Sequence, residues 1–161
     1  MNIDHNHIEN EAFRVLEASN ITEPVVDATK IASDAGYKIK EIDMPKGYEG
    51  IAGFCEKKQR TIYVNAKDHP ARKLFTIAHE LGHIFLGHTS YSVLYRIPRK
   101  DEHYPQEESE ANSFAAHLLM PDFMVRKYLD KYNLSILDYK TMADIFGVPM
   151  SSMKHTLEWL N

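Results

Sequence analysis

The chain has 161 residues, 43% of them hydrophobic and 26% charged, with a net charge of −4 and a pI near 6.1. That is enough for one ordinary globular domain with its own core and too little for a second, and the mildly acidic balance supplies no basic field to draw the protein to nucleic acid. A single cysteine, Cys55, excludes an intramolecular disulfide framework and fits a reducing compartment.

Residues 1–8 are a polar leader that includes His5 and His7 and is expected to fray. It has no basic segment followed by an apolar run, and no stretch of the chain approaches the roughly 18 apolar residues of a membrane span, so a soluble cytoplasmic protein is expected. A first helix is predicted over about Glu9 to Ala18. A second starts at Thr22-Glu23-Pro24, with Val25, Val26, Ala28, Ile31, Ala32 and Ala35 as its apolar face and Gly36 as its end. Strand character follows over Tyr37 to Ile42, Ile51 to Glu56 and Thr61 to Asn65, the last two joined by the charged turn Lys57-Lys58-Gln59. These segments predict a small antiparallel sheet with one face to be covered. Cys55, in the middle segment, reads as a buried, inert thiol.

Pro70 opens a helix to about Leu86 whose Leu74, Phe75, Ile77, Ala78, Leu81, Ile84 and Phe85 cover more than one face, so the helix is buried. Gly87 ends it, and Thr89 to Pro105 reads as a loop. A further helix runs from Pro105 to a stop at Pro121, and another from Asp122 to about Tyr132. Two short helices near Asp138 to Phe146 and Ser151 to Leu160 flank Gly147-Val148-Pro149. The expected fold is therefore α+β. It is a single domain over 1–161, with about three antiparallel strands packed on one central helix and a helical end from about 135 to 161 resembling a helix-turn-helix.

The central helix carries His79-Glu80-Leu81-Gly82-His83, the HExxH spacing. Residues four apart stand nearly above one another on a helix, so both imidazoles can ligate one zinc while Glu80 faces the water it activates. A buried helix does not ordinarily hold two His and a Glu on one stripe, because each buried polar group without a partner costs about 1–3 kcal/mol. Gly82, mid-helix, points to close approach of another backbone. A third protein ligand is needed. His88 is displaced by one residue from the elongated HExxHxxGxxH pattern, since Leu86 and Thr89 stand where that pattern has Gly and His. The stronger candidate is Glu108 in Glu108-Ser109-Glu110-Ala111-Asn112, with Glu107 and Glu110 as alternatives. Asn112, one turn along from Glu108, can hydrogen-bond a ligand His from behind.

Phe75-Thr76-Ile77-Ala78-His79-Glu80-Leu81-Gly82-His83, together with Glu108-Ser109-Glu110-Ala111-Asn112-Ser113-Phe114-Ala115-Ala116-His117-Leu118-Leu119-Met120-Pro121, resembles the ImmA/IrrE family of metallopeptidases. The likeness extends to Ile62-Tyr63-Val64-Asn65 and to Met142-Ala143-Asp144-Ile145-Phe146-Gly147-Val148-Pro149, and covers roughly residues 25 to 160. It implies a cytoplasmic zinc endopeptidase of the gluzincin type, often carried by phages or mobile elements. Such proteins act on a helix-turn-helix repressor, which they cleave or inactivate. Carried onto this sequence, it implies His79, His83 and Glu108 as ligands of one Zn2+ and Glu80 as the base. His117 departs from the family, which commonly has Glu before Leu-Leu-Met-Pro.

An oxyanion donor is required as well, and Tyr91, Tyr95, His103 and Tyr104 are the candidates. The alternative to a protease is a regulatory binding module of the same fold that acts by contacting a transcription factor. Direct nucleic-acid binding is not expected, because the second helix of the C-terminal pair offers only Lys154 and His155 as readers.

Overall fold

The computed structural model describes residues 4–88 and 106–160, and these residues form seven helices and a sheet of three strands. Helix α1 (His5–Ala18) is capped by Asp4, whose carboxylate accepts the amide of His7 at 3.1 Å. The expected frayed leader is thus helical from His5 onward, because Ile8 is buried on the same stripe as Ala12, Val15 and Leu16. Helix α2 (Ala28–Asp34) starts later than expected. Asp27 accepts the amide of Lys30 at 2.9 Å and serves as the cap, so Thr22-Glu23-Pro24 and Val25 lie outside the helix.

Strands β1 (Lys38–Ile42), β2 (Gly53–Glu56) and β3 (Thr61–Asn65) lie in the order β1-β3-β2. The sheet is mixed where an antiparallel one was expected: β2 and β3 form an antiparallel hairpin, but β1 runs parallel to β3. The link from Ile42 to Gly53 is the cause. It turns at Pro45 to Tyr48 through Gly47, at φ 89°, and is long enough to step across the width of a strand, which leaves a place for β3 beside β1. Asn65 holds that link by donating to the carbonyls of Glu49 and Ile51 at 3.1 and 3.0 Å.

Helix α3 (Pro70–Phe85) covers the sheet. Gly53 makes this possible, since a Cβ there would stand 2.6 Å from Thr76 Cγ2 and 2.4 Å from the Tyr63 carbonyl. Helix α4 (Gln106–Leu119) lies on the other side of α3 and is backed in turn by α1. Helices α5 (Asp122–Tyr132), α6 (Tyr139–Phe146) and α7 (Met150–Trp159) complete the described chain. Phe114, Leu118, Met124, Met142, Phe146 and Met153, each fully buried, join these helices to one core that also includes Ile62 and Leu81. Cys55 is buried and in no disulfide, as its strand position predicts.

Candidate metal centre

The site is made where α3 and α4 meet at Gly82. A Cβ on Gly82 would stand 3.0 Å from both Cα and O of Ala111, so the glycine lets the two backbones meet. That contact explains the Gly in the middle of a helix, and it sets Glu108, one turn before Ala111, against the histidine stripe of α3. His79, Glu80, His83 and Glu108 are all buried, Glu80 and His83 completely.

The Nε2 atoms of His79 and His83 lie 3.1 Å apart, and each is 3.2 Å from one carboxylate oxygen of Glu108. Behind the first imidazole, His79 Nδ1 lies 2.8 Å from Asn112 Oδ1. An amide oxygen only accepts, so the proton is on Nδ1 and the Nε2 lone pair faces His83 and Glu108. The ligand atoms of His79, His83 and Glu108 all lie within 4.8 Å of one another. Such a convergence of lone pairs and carboxylate is favourable only around a shared positive charge, a proton or a metal cation, and two imidazoles with one carboxylate is a zinc donor set. Burial pushes the Glu108 carboxyl up, but the two imidazoles facing it outweigh this and hold it well below the usual carboxylate range. It is therefore an anion at neutral pH.

Of the three acidic candidates on α4, Glu108 is the one brought to both histidines. Glu110 turns instead to His88, whose Nε2 is 3.0 Å from Glu110 Oε2, and Glu107 is outside the cluster as well. His88 does not join the ligand atoms. It lies behind them, with its Nδ1 2.9 Å from His83 Nδ1, and burial pushes its pKa down. Sequence reading missed this pair because it weighed His88 only as a ligand. Tyr91, Tyr95, His103 and Tyr104, named as oxyanion donors, lie outside the described residues. On its far side Asn112 lines a cavity of about 440 Å3 with Phe75, His117, His155, Thr156 and Trp159, and His117 faces this cavity.

The two readers weighed for nucleic acid, Lys154 and His155, are both exposed on α7. Lys154 Nζ sits 5.8 Å from the centre of the Tyr139 ring, and His155 accepts from Trp159 Nε1 at 3.1 Å. No helix among the described residues is long and apolar enough to cross a membrane.

Comparison with known proteins gives three findings. Residues 32–158 match the profile of the IrrE N-terminal-like domain, peptidase family M78. An "uncharacterized immunity region protein 2" of Bacillus phage phi105 is 35% identical over 80 residues, which is 48% of this chain and 50% of that protein. A solved structure of a Mycobacterium tuberculosis transcriptional regulator superposes with a TM-score of 0.71 at 16% identity, covering 93% of this chain and 55% of that one, a likeness of fold. The chain therefore spans about half the length of these relatives.

Proposed function

The chain belongs to the family of IrrE N-terminal-like domains, a peptidase family, and from that premise we propose that it is a zinc-dependent endopeptidase acting on a transcriptional repressor. The observation that carries the reading is the approach of His79, His83 and Glu108 to within 4.8 Å, next to the buried Glu80. These three residues would hold one zinc ion per chain. When bound, zinc supplies a Lewis acid and a water acidic enough to act as nucleophile near neutral pH.

The chain's own residues do the rest. Glu80 is the general base: it stands next to His79 on α3, shielded from bulk water, takes the proton of the attacking water and returns it to the leaving amine. Asn112 accepts from His79 Nδ1 and so keeps the other nitrogen free to ligate. Glu108 contributes the negative charge and, lying on a different helix, ties α4 to α3. Tyr91, Tyr95, His103 and Tyr104 are the candidates for binding the oxyanion.

The likeness to a phage immunity-region protein supports a regulatory role and a helix-turn-helix repressor as the substrate. Such a partner is met in the cytoplasm, which the lone Cys55 also suits. Direct contact with nucleic acid is not part of this reading, since the net charge is −4 and the last helix offers only Lys154 and His155 as readers.

Metal analysis of protein purified without a metal-binding tag tests the reading. About one zinc per chain, lost in His83→Ala, is expected. A wild type that takes up no zinc when it is supplied removes the peptidase and leaves a regulatory module that works by contact.

A further inference from the structure

The last turn of α3 places a histidine behind a histidine. Leu86 is the C-cap and Gly87 follows at φ 70°. The amide of Gly87 donates to the Ile84 carbonyl at 3.3 Å, and that of His88 to the His83 carbonyl at 3.0 Å. This is the Schellman arrangement, which folds the second residue past the cap back onto the residue three before it, a contact more often apolar. Here those residues are His88 and His83, and the contact is Nδ1 to Nδ1 at 2.9 Å. Beyond it His88 Nε2 meets Glu110 Oε2 at 3.0 Å, while the other oxygen of Glu110 accepts from Gln106 Nε2 at 2.6 Å. The His88 carbonyl accepts from Lys57 Nζ. His88 is 6% exposed and His83 is fully buried, so little water competes for these bonds.

The protons along this chain can be assigned one after another. A carboxylate only accepts, so Glu110 calls for the proton of a neutral His88 on Nε2. That leaves His88 Nδ1 bare, and the nitrogen 2.9 Å from it, His83 Nδ1, must then be the donor. His83 Nε2 is left as a lone pair directed at Glu108 and His79. The geometry points to His88 and Glu110 as positioning residues of the metal centre, a carboxylate and imidazole relay that fixes the tautomer and ring plane of His83. It rests on the reading of His79, His83 and Glu108 as ligands. The two ligand histidines are thus oriented by different means: His79 by one amide, and His83 by a charged residue acting through a second ring.

Two measurements test the relay. In zinc-loaded protein, long-range proton–nitrogen correlation of the imidazoles separates protonated ring nitrogens from those without a proton. The expected pattern is a proton on Nε2 of His88 and on Nδ1 of His83, and the opposite tautomer on either ring overturns the relay. Zinc affinity, read by competition with a chromophoric chelator, is expected to fall about 10- to 100-fold in His88→Phe, which keeps a ring but removes both nitrogens. Glu110→Gln, which can still accept from His88, is expected to lose less. Zinc held by folded His88→Phe as tightly as by the wild type overturns the relay and leaves the ligand set standing. A wild type that binds no zinc overturns both. Should His88→Phe fail to fold, the tautomers of the wild-type rings decide.

Discussion

The helix pairs α3–α4 and α6–α7 are both closed around a glycine, yet they fill their interiors in opposite ways. Gly82 lets α3 touch the backbone of Ala111, and the space beside that contact holds His79, Glu80, His83 and Glu108. Gly147, at φ 66°, turns the chain between α6 and α7 against Val25, and the space behind it holds Met142, Ala143, Phe146, Met153 and Leu157. In the apolar pair any well-shaped packing is stabilising. In the polar pair every buried group depends on a neighbour at hydrogen-bond or ligand distance, and a displacement of about an ångström leaves polar groups unmatched. On the proposed reading, catalysis depends on the polar contacts of α3–α4 while α6–α7 adds only to the shared core, and variants should separate the two.

The largest effect is expected from Glu80→Gln. It should lower the rate of repressor cleavage by about 10²- to 10⁴-fold while the zinc content stays at that of the wild type. Cleavage at the wild-type rate would remove Glu80 as the base. Phe146→Ala tests the opposite half. Deleting a fully buried ring should cost about 3–5 kcal/mol in chemical denaturation, with zinc affinity of the folded protein unchanged. A large loss of zinc affinity in that variant would show that the two pairs are coupled.

Asn112→Ala stands between these extremes. It leaves His79 Nδ1 without its acceptor and should weaken zinc binding by about 10- to 100-fold in chelator competition, with less effect on folding than Phe146→Ala. The smallest effect belongs to a polar tie at the edge of the apolar half. The Tyr128 hydroxyl donates to Glu23 at 2.6 Å, and its ring packs edge-on against Phe146 with centroids 5.7 Å apart. The hydrogen bond to Glu23 pushes the phenol up to about 12. A pKa raised in the folded state stabilises fully below the unfolded value near 10 and is lost as pH rises through about 12. Absorbance titration should show one tyrosine ionising late, and Glu23→Gln should bring it back towards the others.

The grouping of His79, His83 and Glu108 was legible because its spacing is local. Four residues on one helix bring His79 and His83 together, and four on another align Glu108 with Asn112, whatever the rest of the fold does. Gly82 announced the close contact that joins the two helices. What escaped sequence reading depended on distances along the chain or on competition between local signals. The direction of β1 is set by the reach of the link from Ile42 to Gly53 rather than by anything within the strand. At α2 the Pro24 start signal lost to Asp27, because an aspartate that caps an amide satisfies a donor and a proline does not. At α1 the buried Ile8 carried the helix back through a polar segment. His88 was weighed only as a ligand, and its place behind His83 went unread. Leu86-Gly87 marks a helix end that folds back, and the signal lay in the glycine.

The contact at Gly82 also sets the room left between the two helices. Two of the residues that would hold an ion ride on one helix and the third on another, so the gap between their side chains depends on how far apart the helices stand. That spacing is set by backbone against backbone, with Ala111 at 3.0 Å from the place of a missing Cβ. Moving α4 outward would open a void in the packed core. The gap between His79, His83 and Glu108 is in this way governed by a residue that has no side chain with which to touch any of them.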